Sequence, residues 1–343
     1  MKGQWIQNAF QMSKKPMPVL SFPGIQLLNT EVDKLVASSE LQADCMRAIA
    51  GRYDMMAAVS LMDLSVEAEA FGSEVRYSGD EVPTVVGRII ETAEDAENLT
   101  VPAVGAGRTG ACIDAIAKAS RDITDRPVLA GVIGPFSLAG RMVDMTEVMC
   151  LCAEDPDMVH TVLRKVTRFI TSYISALKQA GASGVVIAEP AAGLLSPLMN
   201  KEFSVPYMQE IVAALQDDRF AVVYHNCGPY TIRQIDDLLA IGAKILHFGN
   251  AIDMGEMAKH IPDSQLFSGN VAPAEVFRYG TPDMVRDATR ALMEQCGELP
   301  NFIPSSGCDI PPVSPLENID AFFETVEAYY AEQQDTDLID QAG

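Results

Sequence analysis

The sequence predicts an α/β protein, a single-domain (β/α)8 TIM barrel, and two observations support this. Short β-branched runs recur along the 343 residues, and amphipathic helical stretches separate most of them. Strands that alternate with helices need crossover connections, which produce a parallel sheet. Eight such units close most naturally into a barrel. The eight predicted strands are 17–22 (MPVLSF), 55–62 (MMAAVSLM), 127–134 (PVLAGVIG), 184–190 (GVVIAEP), 220–226 (FAVVYHN), 243–249 (AKILHFG), 265–271 (QLFSGNV) and 301–307 (NFIPSSG).

The helical stretches and one insertion complete the predicted architecture. Residues 157–181 carry apolar side chains at three- and four-residue spacing, which predicts a helix that Gly181 caps. The segment 72–125 breaks the period with GSEVRYSGDEVPTVVGRI, which predicts an extra hairpin and helix after the second strand. No linker divides the chain, so we expect one barrel domain over residues 1–332 and a frayed tail over 333–343.

A doubly wound open sheet is the competing architecture. Its signature is a glycine-rich turn directly after the first strand. The sequence VGAGRTGA at 104–111 contains a G-x-G but follows no convincing strand, so it has little weight.

Composition narrows the functional class. The formal charge of −22 disfavours binding to nucleic acid and to anionic membranes. Neither a signal peptide nor a membrane-spanning segment is indicated, which predicts a cytoplasmic protein. The seven cysteines are irregularly spaced and do not resemble a disulfide framework, so in a reducing compartment each is a core residue, a metal ligand or a nucleophile.

A histidine and two cysteines form the predicted metal site. His225 and Cys227 stand where the fifth predicted strand ends, and Cys308 follows the last strand. The carboxyl ends of barrel strands surround one mouth, so these side chains can converge on one ion and leave a position for substrate. This pattern is typical of a catalytic zinc site. The alternative is a hydrogen-bonded core histidine with two buried cysteines.

Three other strand ends carry candidate polar residues. Glu189 follows the fourth strand as a contact to the metal's ligands or to substrate, with a solvated carboxylate as the alternative. His247 ends the sixth strand and is placed to orient substrate or donate a hydrogen bond, unless it is a satisfied barrel histidine. Asn270 ends the seventh strand as a pocket residue for the cofactor.

Several stretches resemble the methylcobamide:coenzyme M methyltransferases, a branch of the uroporphyrinogen decarboxylase superfamily. They include YHNCG, SSGCDIPPVSPLENIDAF, DLSVEAEAFGSEV and GPFSLAGRM. The resemblance implies a (β/α)8 barrel, zinc, and methyl transfer to or from methylcobalamin that a separate corrinoid-binding protein carries. Asp63 falls where the decarboxylase keeps its catalytic aspartate. The arginine-rich entry motif of the decarboxylase is absent, since no arginine precedes Arg47.

Within this resemblance two substrate classes stay open. A thiol bound to zinc becomes a thiolate that attacks methyl-cobalt, and two cysteine ligands favour this direction. A methyl ether would instead be polarised at its oxygen for transfer to cobalt(I). The coenzyme M branch tends to carry acidic residues after the sixth strand, and the departure of LHFGNAID from that pattern keeps this O-demethylase alternative open. A metal-free decarboxylase and a non-catalytic ligand-binding barrel are the other classes. Because corrin is too large for a filled barrel, we expect the partner to dock over a mouth rimmed by the loops of Asp63, Glu189, Asn270 and Cys308. The oligomeric state stays open.

Overall fold

Seven parallel strands form the central sheet of the computed structural model, which describes residues 5–6, 10 and 15–342, with side chains as far as residue 333. The strands are β1 (Ala58–Val59), β4 (Val128–Ile133), β5 (Gly184–Ala188), β6 (Ala221–Asn226), β7 (Ile245–Phe248), β8 (Leu266–Val271) and β9 (Phe302–Ser306). They pair in that order, each parallel to its neighbour. Seven of the eight predicted strands are therefore confirmed, and the α/β barrel-like fold with them.

The first predicted strand, 17–22, forms no regular ladder, although it occupies the closing position of the barrel. Met17 N–H donates to Pro304 O in β9 over 2.8 Å, and Met56 N–H, just before β1, donates to Pro16 O over 2.9 Å. The segment therefore bridges the two edge strands. Pro18 has no N–H to donate, and neither has Pro304 opposite, so the ladder is interrupted on both sides.

Helices cover the outside of the sheet. In chain order they are α1 (Gly24–Leu28), α2 (Val32–Ala37), α3 (Ser39–Arg52), α4 (Val66–Ala70), α5 (Ala93–Asn98), α6 (Thr109–Asp122), α7 (Pro135–Val143), α8 (Met145–Glu154), α9 (Pro156–Gln179), α10 (Pro197–Phe203), α11 (Val205–Leu215), α12 (Ile235–Ala240), α13 (Met254–Ala258), α14 (Pro282–Cys296) and α15 (Leu316–Ala342). Helix α9 confirms the predicted helix, and Gly181 beyond its end takes φ +109°, which glycine adopts without strain.

The predicted insertion is also confirmed. Strands β2 (Glu74–Arg76) and β3 (Thr84–Val86) form an antiparallel hairpin outside the barrel, and α5 follows them. The division into a domain over 1–332 and a tail over 333–343 stays a prediction. Helix α15 runs to Ala342, but the side chains after residue 333 lie outside the described part.

Two layers of apolar side chains explain how the barrel positions polar groups. The alternating residues Ala221 and Val223 of β6 point into the barrel, whereas Val222 and Tyr224 pack against the helices. Trp5 fills the amino-terminal end of the interior and donates to Ser183 O over 3.2 Å. Inward-facing residues farther along the strands, such as His225 in β6, lie towards the carboxyl-terminal mouth. Among the described residues, no helix is long and apolar enough to cross a membrane.

Candidate functional site

Strand β6 brings His225 and Cys227 to the mouth of the barrel. His225 continues the inward row of Ala221 and Val223 because side chains alternate along a strand, and it is buried. The chain then turns at Asn226, whose side-chain oxygen accepts from Gly228 N–H over 2.9 Å. This turn follows the Asn-x-Gly pattern of the sequence and presents the half-buried Cys227 at the strand end.

Two glycines allow neighbouring loops to approach the cysteines. A side chain on Gly249 would lie 2.4 Å from Cys227 Cβ, so the loop after β7 packs on Cys227 only because this residue is glycine. Gly307 N–H donates to Val271 O over 2.7 Å and ties the loop that carries Cys308 to the end of β8. The loop after β7 therefore packs on Cys227, and the loop that carries Cys308 is fixed to the end of β8.

The three predicted metal ligands converge. The ligand atoms of His225, Cys227 and Cys308 all lie within 4.8 Å of one another. The buried His225 Nε2 has no hydrogen-bond partner among the described residues, as expected of a nitrogen directed to an ion. Contact with Cys308 lowers the pKa of the Cys227 thiol. One nitrogen and two sulfurs with an open side suit zinc, so the residues present fit a zinc ion.

His247 lies beside the metal ligands and does not face the mouth. It is the register partner of His225 on β7, and the two Nδ1 atoms are 2.7 Å apart. Its Nε2 lies 2.9 Å from Ser305 Oγ. Burial lowers the His247 pKa well below its ordinary value, so the ring is neutral. Contact with His225 and Ser305 places it behind a predicted metal ligand, with only 1% of its surface exposed.

Glu189, which the sequence suggested as a catalytic residue, hydrogen-bonds to the start of helix α7. Its backbone N–H donates to His225 O over 2.8 Å, yet its side chain points away to the start of α7. The carboxylate accepts from Phe136 N–H over 2.8 Å, Ser137 N–H over 2.9 Å and Ser137 Oγ over 2.7 Å. Burial raises its pKa to about 7, against the effect of these bonds. A side chain on Gly134 would fill the same space, 2.2 Å from Glu189 Cγ.

Asp63, the other suggested catalytic carboxylate, is buried and paired. One oxygen accepts from Ser65 N–H and Oγ, over 3.0 and 2.6 Å, and the other pairs with Arg108. Arg108 also binds Glu69 over 2.7 Å. This arginine belongs to the VGAGRTGA stretch, which sequence reasoning gave little weight. The motif therefore supplies the counter-charge of Asp63.

Asn270 supports the loops of the mouth. Its amide donates to Gly249 O over 3.0 Å and to Ile252 O over 2.6 Å, which fixes the loop that covers Cys227. The structure thus brings His225, Cys227, Cys308 and His247 together. It places Glu189 and Asp63 in separate hydrogen-bonded clusters and Asn270 in a supporting contact.

Two further carboxyls lie near the mouth, the half-buried Asp309 and the buried Glu67. Asp309 follows Cys308 directly, and its pKa is raised well above the ordinary value by burial and by the nearby Asp63. Glu67 accepts from Ile133 N–H over 3.2 Å, while its second oxygen has no partner, and burial raises its pKa to about 8. Sequence reasoning missed Asp309, for which position directly after a ligand cysteine was the only signal, whereas the position of Glu67 beside Asp63 predicts a residue that faces either the pocket or solvent.

Comparison with known proteins places this chain in a family. A family model described as Uroporphyrinogen decarboxylase (URO-D) matches residues 25–329. A uroporphyrinogen decarboxylase of Hydrogenovibrio crunogenus is 25% identical over 303 residues, 85% of this chain and 84% of the relative. The methylcobamide:CoM methyltransferase MtbA of Methanosarcina acetivorans is 26% identical over 273 residues, 78% of each. A solved methyltransferase from Methanosarcina mazei, 23% identical, superposes with a TM-score of 0.81 over 93% of both chains, which shows the shared fold.

Proposed function

We propose that this chain, which belongs to the uroporphyrinogen decarboxylase family, is a zinc-dependent methyltransferase serving a corrinoid protein and a small thiol. The observation that carries the proposal is the convergence of His225, Cys227 and Cys308, with a buried nitrogen that has no other partner. The methyltransferase relative supports the reaction class. Thiolate ligands need a reducing compartment, in keeping with the predicted cytoplasmic location.

The ligand set supports a thiol substrate. When bound, zinc would replace the proton of the substrate thiol and so make its sulfur nucleophilic at neutral pH. Two cysteine thiolates and a neutral histidine give the occupied site a net charge near zero, which leaves electron density on a third sulfur. The two sulfurs already lie within 4.8 Å of each other and of the histidine ligand atom in the metal-free site.

The surface around the mouth supports a protein partner. Apart from Val86 in β3, the exposed large hydrophobic side chains of the described residues lie in connections that follow a strand, or in the first turn of the next helix. They are Tyr77, Val86, Val104, Leu194, Leu198, Tyr230, Tyr279 and Met284. Gly193 and Gly228 pack backbone to backbone, so the loops of Leu194 and Tyr230 are neighbours beside Cys227. Leu194 and Tyr230 thus form an exposed apolar rim beside Cys227, and an exposed apolar surface at a site is typical of a docking surface.

The metal-free decarboxylase is the second candidate, because a decarboxylase is among the relatives. It relies on Asp63, whose two oxygens are bound by Ser65 and Arg108. A decarboxylase function also does not explain why His225, Cys227 and Cys308 converge. The metal site therefore favours methyl transfer.

The experiment is a pair of methyl-transfer assays that follow the cobalt absorption spectrum. Zinc-loaded protein is mixed with methylcobalamin and coenzyme M, 2-mercaptoethanol or cysteine, and separately with cob(I)alamin and phenyl methyl ethers. Loss of the methylcobalamin spectrum with a thiol supports the proposal, and methylation of cobalt by an ether supports the O-demethylase alternative. No change in either assay, with the cognate corrinoid protein supplied, excludes methyl transfer in favour of the decarboxylase.

A further inference from the structure

A chain of hydrogen bonds runs through the barrel interior behind the proposed metal ligands. It begins at Met17 on the closing segment, passes through Ser305 on β9 and His247 on β7, and ends at His225 on β6. The three side chains are buried, with 0% exposure for Ser305, 1% for His247 and 2% for His225. His247 contacts a proposed metal ligand through one ring nitrogen and Ser305 through the other, so we ask what these two contacts do to His225.

The direction of the bonds is set at Met17. Its carbonyl oxygen lies 2.8 Å from Ser305 Oγ and can only accept, so the serine hydroxyl donates its one hydrogen to this oxygen. Ser305 Oγ must then accept from His247, whose Nε2 lies 2.9 Å away. His247 therefore carries a hydrogen on Nε2.

The same logic continues to His225. No carboxylate among the described residues hydrogen-bonds to His247, and a buried ring without a counter-charge stays neutral. A neutral ring with hydrogen on Nε2 has a lone pair on Nδ1. The two Nδ1 atoms are 2.7 Å apart, a distance that needs one hydrogen between them, and His225 must supply it. His225 is left with a lone pair on Nε2.

We propose that His247 is a positioning residue that holds His225 in the tautomer whose Nε2 lone pair faces Cys227 and Cys308. Without this partner His225 would exchange between two tautomers, and the form with hydrogen on Nε2 cannot bind a metal there. Partners behind a ligating histidine commonly fix both its tautomer and its ring orientation. The proposal rests on the proposed metal site for its purpose, whereas the tautomer itself is a property of the metal-free protein.

The test compares His247→Gln with His247→Leu. Glutamine can accept from His225 through Oε1 and donate to Ser305 through Nε2, so it replaces both bonds, while leucine replaces neither. Ser268→Ala is the matched control, because Ser268 is the register neighbour of His247 and donates instead to Ile303 O over 2.9 Å. Two-bond nitrogen–proton correlation spectra of metal-free, histidine-labelled protein report the tautomer of each of the four histidines.

We expect His225 to carry its hydrogen on Nδ1 in the wild type, in Ser268→Ala and in His247→Gln, and to show mixed tautomers in His247→Leu. Zinc affinity, measured by chelator competition, should fall roughly 10- to 100-fold in His247→Leu and stay near the wild-type value in the other two. Hydrogen on Nε2 of His225 in the metal-free wild type, or equal zinc affinity in His247→Leu, would overturn the proposal. If no variant binds zinc, the proposed function fails, while the nitrogen spectra still decide the tautomer.

Discussion

The Sγ atoms of Cys227 and Cys308 lie within 4.8 Å of each other, so the ends of β6 and β9 meet at two sulfur atoms although the strands are not neighbours in the sheet. The buried Nε2 of His225 completes the set. This relationship supplies the first prediction. Cys227→Ser should lose stoichiometric zinc while the barrel stays folded, because Cys227 lies at the mouth and outside the apolar core.

Metal analysis of protein purified under reducing conditions, together with circular dichroism, checks this outcome. Cys150→Ser is the matched control, since Cys150 is exposed and distant in sequence from all three ligands. Equal zinc in Cys227→Ser and Cys150→Ser would show that the ion is bound elsewhere.

Glu189→Gln should destabilise the protein without changing its zinc content. The amide keeps only one accepting oxygen for three donors at Phe136 and Ser137, and its own N–H groups meet further donors. An unsatisfied buried group of this kind costs about 1–3 kcal/mol. Urea unfolding measures the loss, with the exposed Glu154→Gln as control. Loss of zinc at full stability would instead return Glu189 to the metal site.

Glu67 should make stability depend on pH. Its pKa in the folded protein is about 8, raised from 4.5 by burial, so the folded state holds a proton that the unfolded state releases. Its contribution to stability is complete below pH 4.5 and declines as the pH rises to about 8, by at most about 1.4 kcal/mol per pH unit. Glu67→Gln should flatten this slope. Urea unfolding at pH 5, 6, 7 and 8 checks it, and parallel curves for both proteins would contradict it.

Leu198→Asp should weaken docking of the corrinoid protein. Leu198 is 76% exposed in the first turn of α10, four residues along the chain from Leu194 of the apolar rim. A charge there must be desolvated when the partner covers it. We expect slower methyl transfer from the corrinoid protein and an unchanged rate from free methylcobalamin. Gln179→Asp adds the same charge at the end of α9, on the opposite side of the barrel, and should change neither rate.

Equal effects of Leu198→Asp and Gln179→Asp on the corrinoid-protein reaction would argue against the rim as the docking surface. A loss with free methylcobalamin as well would place the defect in the site itself.

The sequence predicted most strands because buried parallel strands read as continuous apolar runs bounded by turn residues. It did so for β6, whose six residues are all buried. The first strand differed because Pro18 and Pro304 interrupt the ladder, an effect that depends on two distant segments lying side by side.

The metal site was predictable because barrel topology alone brings His225, Cys227 and Cys308 to one mouth. The direction that a side chain takes beyond a strand end could not be predicted from the sequence. Glu189 turns to α7 because Gly134 leaves room for it, and Asp63 pairs with Arg108 from a loop over forty residues later. Such pairings depend on tertiary contacts that no local pattern encodes.

X-ray absorption at the zinc edge, with and without a thiol that supports methyl transfer, tests the central claim most directly. We predict one nitrogen at about 2.0–2.1 Å and two sulfurs at about 2.3 Å from the ion in the substrate-free protein. Adding the thiol should raise the sulfur count from two to three. Protein without zinc, a ligand set that lacks the two cysteine sulfurs, or a sulfur count that the thiol leaves unchanged would contradict the account.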